Sequence, residues 1–338
     1  MSYSLMDLKQ RLLFCSREVG PWMDRDEEIL KANFHTKRVH LSNRYLFTSR
    51  WLLDVARAQI VFLWFASYFA LPVVLWTRLL GKKLVIVTGG YDVAKASEIG
   101  HGTYSKNFLA RALRTFILHR ANRILCVSEF NRQEAITHAS LDPARCETIL
   151  LALNEPPAMP LKPWSERKTQ VVMIASATAS SFQTKGIDQF LKLARLCPET
   201  TFVLVGRLDS VVKIEVRKAA VNNVRLMGFI PYHSTTFLEL LNSSRLAIQL
   251  SFYESFGAAV IDAGMCGCEM LVTQKGALPE VIGTEGESVA YGDLENLVQK
   301  VRQIIAKPDS DVMGRSQRLR DKFSPAQREK LLVKAITF

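Results

Sequence analysis

The run Ser251–Thr273 reads SFYESFGAAVIDAGMCGCEMLVT, and RLAIQLS, Arg245–Ser251, leads into it. RLAIQLS is short and apolar, the pattern of a buried strand. Phe252–Gly257 reads as a short polar turn. AAVIDAGMCG is small and apolar and reads as a tightly packed helix starting at Gly257 or Ala258. EMLVT, Glu269–Thr273, reads as the next strand. Strand, turn, helix, strand is the repeating unit of a parallel sheet. Glu254 falls in the turn at the carboxyl end of the first strand, and Asp262 lies eight positions later, inside the helix. An acid among small apolar residues costs stability unless it has a partner or a function. Backbone N–H groups around Ser255, Phe256 and Gly257 face any anion placed at the helix start. An ordinary strand-helix-strand unit, with a helix-start Glu and a hydrogen-bonded Asp, also accounts for this spacing.

Working outward, the chain has 338 residues, 48% of them hydrophobic, and a net charge of +12. The length predicts about two domains, and the apolar content suffices for two cores. The positive charge points to anionic partners: a nucleotide diphosphate, an acidic lipid surface or nucleic acid. It is concentrated. No acid occurs between Glu98 and Glu129, whereas Lys106, Arg111, Arg114, Arg120 and Arg123 all do. The six cysteines, at 15, 126, 146, 197, 266 and 268, sit mostly in apolar runs. Cys266 and Cys268 have no second pair or His cluster at metal spacing. All six read as reduced and mostly buried, which predicts a cytosolic chain. The start lacks a basic segment followed by an apolar signal core.

In the N-terminal half, Arg11–Ser16 predicts a strand and Asp24–Asn33 a helix capped by Asp24 or Asp26. The loop between them carries Gly20, either a plain turn glycine or one allowing a ligand close to the backbone. Lys37–Leu41 predicts a second strand. Gln59–Trp76 is long enough to suggest a membrane span, but Ser67 and Pro72 divide it into a buried strand, Gln59–Phe65, and a packed helix, Ser67–Leu80. KLVIVT then forms a strand that ends in TGGYD, where Gly89 and Gly90 permit unusual backbone angles. Ser105–Arg123 predicts an amphipathic helix with an apolar stripe of Leu109, Ala112, Leu113, Phe116 and Ile117. That helix either faces the core with a solvated basic side, or attaches to anionic lipid. Pro156, Pro157, Pro160 and Pro163 make a stiff linker, the best domain boundary in the chain. The C-terminal half predicts strands at Gln170–Ala177, Thr201–Arg207 and Asn223–Ile230, with helices at Ile187–Leu196 and Pro231–Leu241.

These motifs resemble the donor-binding half of the retaining GT-B glycosyltransferases of family 4, the glycosyl transferases group 1. The family pattern is Glu, seven residues, Glu, with Phe-Gly after the first acid. Glu254, Phe256 and Gly257 match, and Asp262 stands at the second acid. Lys185-Gly186 matches the family's Lys-Gly, and GALPEVIG, VAYGD and KFSPAQREKLLVKA resemble its later turn, strand and closing helix. The resemblance is specific from Lys185 to Asp293. It departs from the family in four places. The diphosphate-binding Arg is replaced by Ala or Ser in ASATASS, the second Glu is Asp262, the usual His is replaced by Tyr91-Asp92, and the Gly after Asn154 is Glu155.

The resemblance implies an α/β chain of GT-B fold, two Rossmann-like domains facing across a central cleft. Residues 1–155 would be the acceptor domain, 156–165 the linker, 166–320 the nucleotide-sugar domain and 321–338 the closing helix. It implies retaining transfer of a hexose from a UDP- or GDP-sugar to a glycan or lipid-linked acceptor, without cofactor or metal, in glycan, polysaccharide or glycolipid synthesis. Glu254 would orient the sugar and Asp262 the ribose, with Gly186, Ser255, Phe256 and Gly257 around the nucleotide. Lys185 would neutralise the diphosphate, with Arg207 in place of the missing Arg. Tyr91, Asp92 and Gly90 would line the site from the first domain, with His101 as a substitute for the absent His or simply an exposed loop residue. The place of action would be the cytoplasm, or the inner membrane face through the basic helix. The competing readings are a nucleotide-sugar binder without transfer activity, a sugar-nucleotide epimerase of the same fold, and a nucleic-acid binder. No helix-turn-helix, zinc ligand set or RNP-like aromatic pattern supports the last.

Overall fold

The central apolar runs become parallel strands buried on both faces, as helices covering both sides of a sheet require, while the edge strands His35–His40 and Val224–Gly228 stay largely open. The architecture comes from a computed structural model that describes residues 9–153, 156, 159–219 and 222–337. Asn154, Glu155 and Pro157, at the expected boundary, lie outside the described residues. The chain divides into two compact units, Met1–Asn154 with Phe323–Phe338, and Glu155–Lys322.

The first unit holds β1 (Arg11–Ser16), β2 (His35–His40), β3 (Ile60–Trp64), β4 (Lys83–Thr88), β5 (Arg123–Cys126) and β6 (Cys146–Thr148). They form one parallel sheet in the order β2-β1-β3-β4-β5-β6. Gln59–Trp76 splits as the sequence predicts, but Pro72 opens the helix Leu71–Leu79 rather than interrupting it, because its missing N–H is no loss in a first turn. No helix among the described residues is long and apolar enough to cross a membrane. The first helix begins at Pro21, three residues earlier than expected, with Gly20 as its N-cap. Asp26 caps nothing. It is fully buried, with Arg328 Nε and Nη2 donating to it at 2.5 and 2.7 Å and Trp64 Nε1 at 3.0 Å. Arg328 also donates to the carbonyls of Ile149 and Leu150.

The second unit holds β7 (Lys168–Ile174), β8 (Thr201–Val205), β9 (Val224–Gly228), β10 (Ser244–Gln249), β11 (Glu269–Thr273) and β12 (Glu287–Val289). Their order is β12-β11-β10-β7-β8-β9, again parallel. From β7 the chain runs outward through β8 and β9, then returns to the other side of β7 with β10. The order therefore reverses between β7 and β10, which opens a crevice at their carboxyl ends. Buried Arg167 ties this sheet to its entry segment, donating to Lys162 O, Leu241 O, Ser244 O, Asn242 Oδ1 and Cys266 O. The closing helix expected over Lys322–Ala335 starts at Pro325 and runs to Ile336, because Ser324 caps and Pro325 opens it, while Lys322 ends the preceding helix, Val312–Lys322. All six cysteines are buried and unpaired with one another.

Candidate functional site

In the second unit the carboxyl ends of β7, β10 and β11 carry three loops that hold one another. Phe252 N–H donates to Thr184 O at 3.0 Å, and Ala277 N–H donates to Glu254 O at 2.8 Å. Gly186 has φ +69°, and a Cβ there would come within 1.8 Å of Leu250 O. Only glycine brings the Lys185 loop this close to the end of β10. The result is a direct pair: Lys185 Nζ lies 3.0 Å from Glu254 Oε2, both side chains partly exposed. The second Glu254 contact is Ser251 Oγ, which donates to the same oxygen at 3.4 Å.

Behind this pair starts the helix Ala258–Met265, with Gly257 as N-cap and no side-chain cap. Its first-turn amides therefore lack the usual hydroxyl or carboxylate acceptor, a ready place for an anion. Ser255 and Phe256 complete the turn, and Phe256 is buried. Asp262 differs from the expected open ribose contact. It is 1% exposed, and neither carboxylate oxygen has a hydrogen-bond partner. Burial raises its pKa well above the ordinary aspartate value, because the charged form is the one that desolvation penalises.

Arg207 is exposed at the end of β8, its guanidinium 4.2 Å above the Phe229 ring. Its N–H donates to Ser176 Oγ at 3.0 Å, and its carbonyl accepts from Ala177 N–H at 2.9 Å. Ser176 belongs to the segment where the family's Arg is missing. Gly206 makes this approach possible, since a Cβ there would lie 2.1 Å from Ala175 O.

In the first unit, Asp92 is not an open catalytic acid. It is 2% exposed, and its two oxygens accept from Gly89 N–H at 3.1 Å and Ala66 N–H at 3.2 Å. Burial raises its pKa, opposed by Arg114 and by backbone amides. Asp92 thus ties the loops after β3 and β4 together. Gly90 takes φ +117° in the same turn, which its carbonyl closes by accepting from Val93 and Ala94. Tyr91 is 49% exposed and meets His101 edge-on at 5.4 Å between ring centroids. Gly20 has extended backbone that any residue adopts, so nothing there demands glycine.

The helix Phe108–His119 buries only part of its predicted stripe. Ile117 and Leu118 are buried, but Phe108 is 71% and Leu109 75% exposed. Of the basic residues in and after it, Arg114 turns inward and donates to Ala66 O, Arg120 at its C-cap stacks 3.9 Å above Phe116, and Arg123, which opens β5 rather than ending the helix, donates to Ala144 O. Arg111 and Lys106 are exposed, Lys106 with a 3.3 Å contact to Gly100 O. Sequence reasoning did not single out Thr184, or Ser176 within ASATASS, as contacts of the site, and it read GALPEVIG as a family turn without placing Gly276 and Ala277 against Glu254. Among the described residues, no three His, Cys, Asp or Glu side chains gather as a metal would require.

Residues 162–329 match the family described as glycosyl transferases group 1. Among curated proteins, the chain is 21% identical over 206 residues to the phosphatidylinositol N-acetylglucosaminyltransferase gpi3 subunit of Schizosaccharomyces pombe, covering 59% of this chain and 44% of that protein. It is 25% identical over 200 residues to O-antigen chain mannosyltransferase B of Escherichia coli, covering 55% and 52%. The chain thus spans about half the length of these relatives. Among solved structures, Anabaena Alr3699/HepE in complex with UDP and glucose superposes with TM-score 0.76 at 13% identity, over 97% of this chain and 99% of that one. Sucrose-phosphate synthase from Thermosynechococcus elongatus gives 0.73 at 15% identity, over 96% and 98%. These likenesses identify the fold as GT-B.

Proposed function

Because the chain belongs to the glycosyl transferases group 1 through residues 162–329, we propose that it transfers a sugar, with retention, from a nucleotide-diphosphate sugar to a glycan or lipid-linked acceptor. The observation that carries this is the Lys185–Glu254 pair at 3.0 Å, set at the β7/β10 switch point beside an uncapped helix start. The donor diphosphate would draw the Lys185 ammonium away from Glu254. Glu254 would then accept from sugar hydroxyls while the helix-start amides face the phosphates. The leaving diphosphate gains its stabilisation from fixed cations and dipoles already in place. Arg207, held against Ser176, takes the part of the missing Arg. Tyr91 and His101 belong to the acceptor side of the chemistry, and Asp92 positions their loop. The complexes of Alr3699/HepE with UDP favour UDP over GDP as the donor base. The protein works in the cytoplasm, at the inner face of a membrane reached through Phe108, Leu109 and Arg111.

The test is thermal shift with UDP, GDP and ADP and their sugar conjugates, followed by NMR of the product anomer. A bound ligand at 100 times its Kd stabilises by about 2.7 kcal/mol. A shift with one nucleotide and a product of unchanged anomeric configuration is the expected result. An inverted product would overturn retention, and no shift with any nucleotide would overturn the donor site. One observation favours a second reading, nucleotide-sugar binding without transfer: the closed, unpartnered Asp262. Binding with neither transfer nor hydrolysis would select it. Full activity in EDTA is the expected outcome for chemistry that relies on Lys185, Arg207 and helix amides.

A further inference from the structure

Toward the amino ends of β1 and β2, within the first unit, lies a cavity of about 450 Å³ lined by Arg11, Lys37, Asp54 and Arg57 among others. The volume lies in the range of small-molecule sites. An open parallel sheet binds its substrates at the carboxyl ends of the strands, so the glycosyl-transfer chemistry above leaves this space unused. Leu13 and Ala58, both part of the apolar core, form its floor. The charge on its wall is lopsided. Asp54 is buried and already engaged, accepting from Lys37 Nζ at 2.6 Å and from Tyr45 Oη at 2.9 Å. That pair is neutral. Arg11 and Arg57 are exposed, and among the described residues neither side chain has a carboxylate partner. By contrast, every Lys and Arg of β2 and of the helix Pro21–Asn33 has one: Arg25, Lys31, Lys37 and Arg38. Gln59 fixes Arg11 through the backbone. Arg11 N–H donates to Gln59 Oε1 and its carbonyl accepts from Gln59 N–H, both at 2.9 Å. Arg57 ends the helix Arg50–Arg57, whose partial negative charge offsets part of its own. Arg11 is therefore the stronger of the two cations.

We propose that this cavity binds a phosphomonoester, its phosphate on the Arg11 and Arg57 guanidinium groups and its organic group over Leu13 and Ala58. Two unpaired cations balance the roughly two charges that such a phosphate carries at pH 7. A lone carboxylate would balance only one of them. Planar guanidinium forks also take phosphate oxygens two at a time. The volume leaves room beyond the phosphate for a small organic group. The inference is independent of the glycosyl-transfer reading, since it uses no residue of that chemistry.

Calorimetry of the full chain with phenyl phosphate tests this, with phenol and inorganic phosphate as controls. Phenyl phosphate should bind, phenol should not, and inorganic phosphate should bind more weakly. Arg11→Gln should lower the affinity about tenfold or more, and Arg57→Gln by less. Both positions are exposed, so neither change disturbs the core. Lys213→Gln removes the same charge from an exposed position in the second unit and should leave the affinity unchanged. Three results overturn the proposal: no binding of phenyl phosphate to the wild-type chain, unchanged affinity in the Arg11→Gln, Arg57→Gln double variant, or an equal loss in Lys213→Gln. Equal binding of inorganic phosphate overturns it too, because the organic group then contributes nothing. Saturating UDP and Lys185→Ala separate this site from the donor site. Phenyl phosphate should bind undiminished under both conditions. Displacement by UDP, or loss in Lys185→Ala, would put the probe at the donor site and overturn the proposal.

Discussion

Lys185 and Glu254 are 69 residues apart in sequence and 3.0 Å apart in space. Each was legible as a candidate from its local motif. Their pairing was not, because it depends on Gly186 lying against Leu250 O, a contact between loops of different strands. Hydrogen bonds to charged groups contribute about 1.5–3 kcal/mol, so Lys185→Ala should raise the UDP dissociation constant about ten- to a hundredfold by calorimetry. Arg207→Ala should weaken UDP but leave uridine affinity alone, since only the phosphates face its charge. Equal losses for both would remove Arg207 from the diphosphate. Asp262 allows a test by pH. Its folded pKa is raised above the unfolded value of 3.8. Between those two values the native state keeps a proton that the unfolded state has released. Stability from this group is therefore greatest below the unfolded pKa and falls as pH rises toward the folded one. Asp262→Asn should gain melting temperature relative to wild type as pH rises from about 4 to about 7. A constant difference would mean that Asp262 ionises normally in the fold. Its burial was hidden in the sequence because helix position does not say which neighbours close over a side chain.

At the scale of elements, the strands were readable because parallel, doubly covered strands are short apolar runs. Helix ends were harder. Gly20-Pro21 looked like loop and is a helix start, while KFSPAQREKLLVKA looked like one helix and holds the last residue of one, Lys322, and then nearly all of the next, Pro325–Ile336. The second of these is fastened by Arg328 on Asp26, a pair 302 residues apart that no local pattern reveals. Removing one partner of a buried pair leaves an uncompensated charge, so Arg328→Met should destabilise the first unit by about 3–5 kcal/mol in denaturant unfolding. The double change Asp26→Leu with Arg328→Met should recover part of that loss. For the helix Phe108–His119 the sequence left a core-facing and a lipid-facing role open, because an amphipathic stripe does not say what covers it. Ile117 of the stripe is buried, whereas Leu109, and Phe108 beside it, face outward. Burying either side chain in lipid would contribute about 1.5–3 kcal/mol, so Phe108→Ser with Leu109→Ser should sharply reduce flotation with anionic vesicles. Unchanged flotation would exclude this helix as the attachment.

At the scale of the molecule, each unit owns a separate apolar core. Unfolding should therefore show two transitions, one raised by UDP and the other lowered by Arg328→Met. A single transition responding to both would show that the units unfold as one. The chain leaves the first unit at Asn154 and returns to it at Phe323, a course that no local pattern reveals. That return has a consequence during synthesis. Asp26 emerges from the ribosome early, and its counter-ion follows 302 residues later. At about 5–20 residues per second, the acid waits on the order of a quarter of a minute to a minute for its arginine. The second unit, complete at Lys322, can close first. The nascent first unit must spend that interval with a hydrated carboxylate where its core will be.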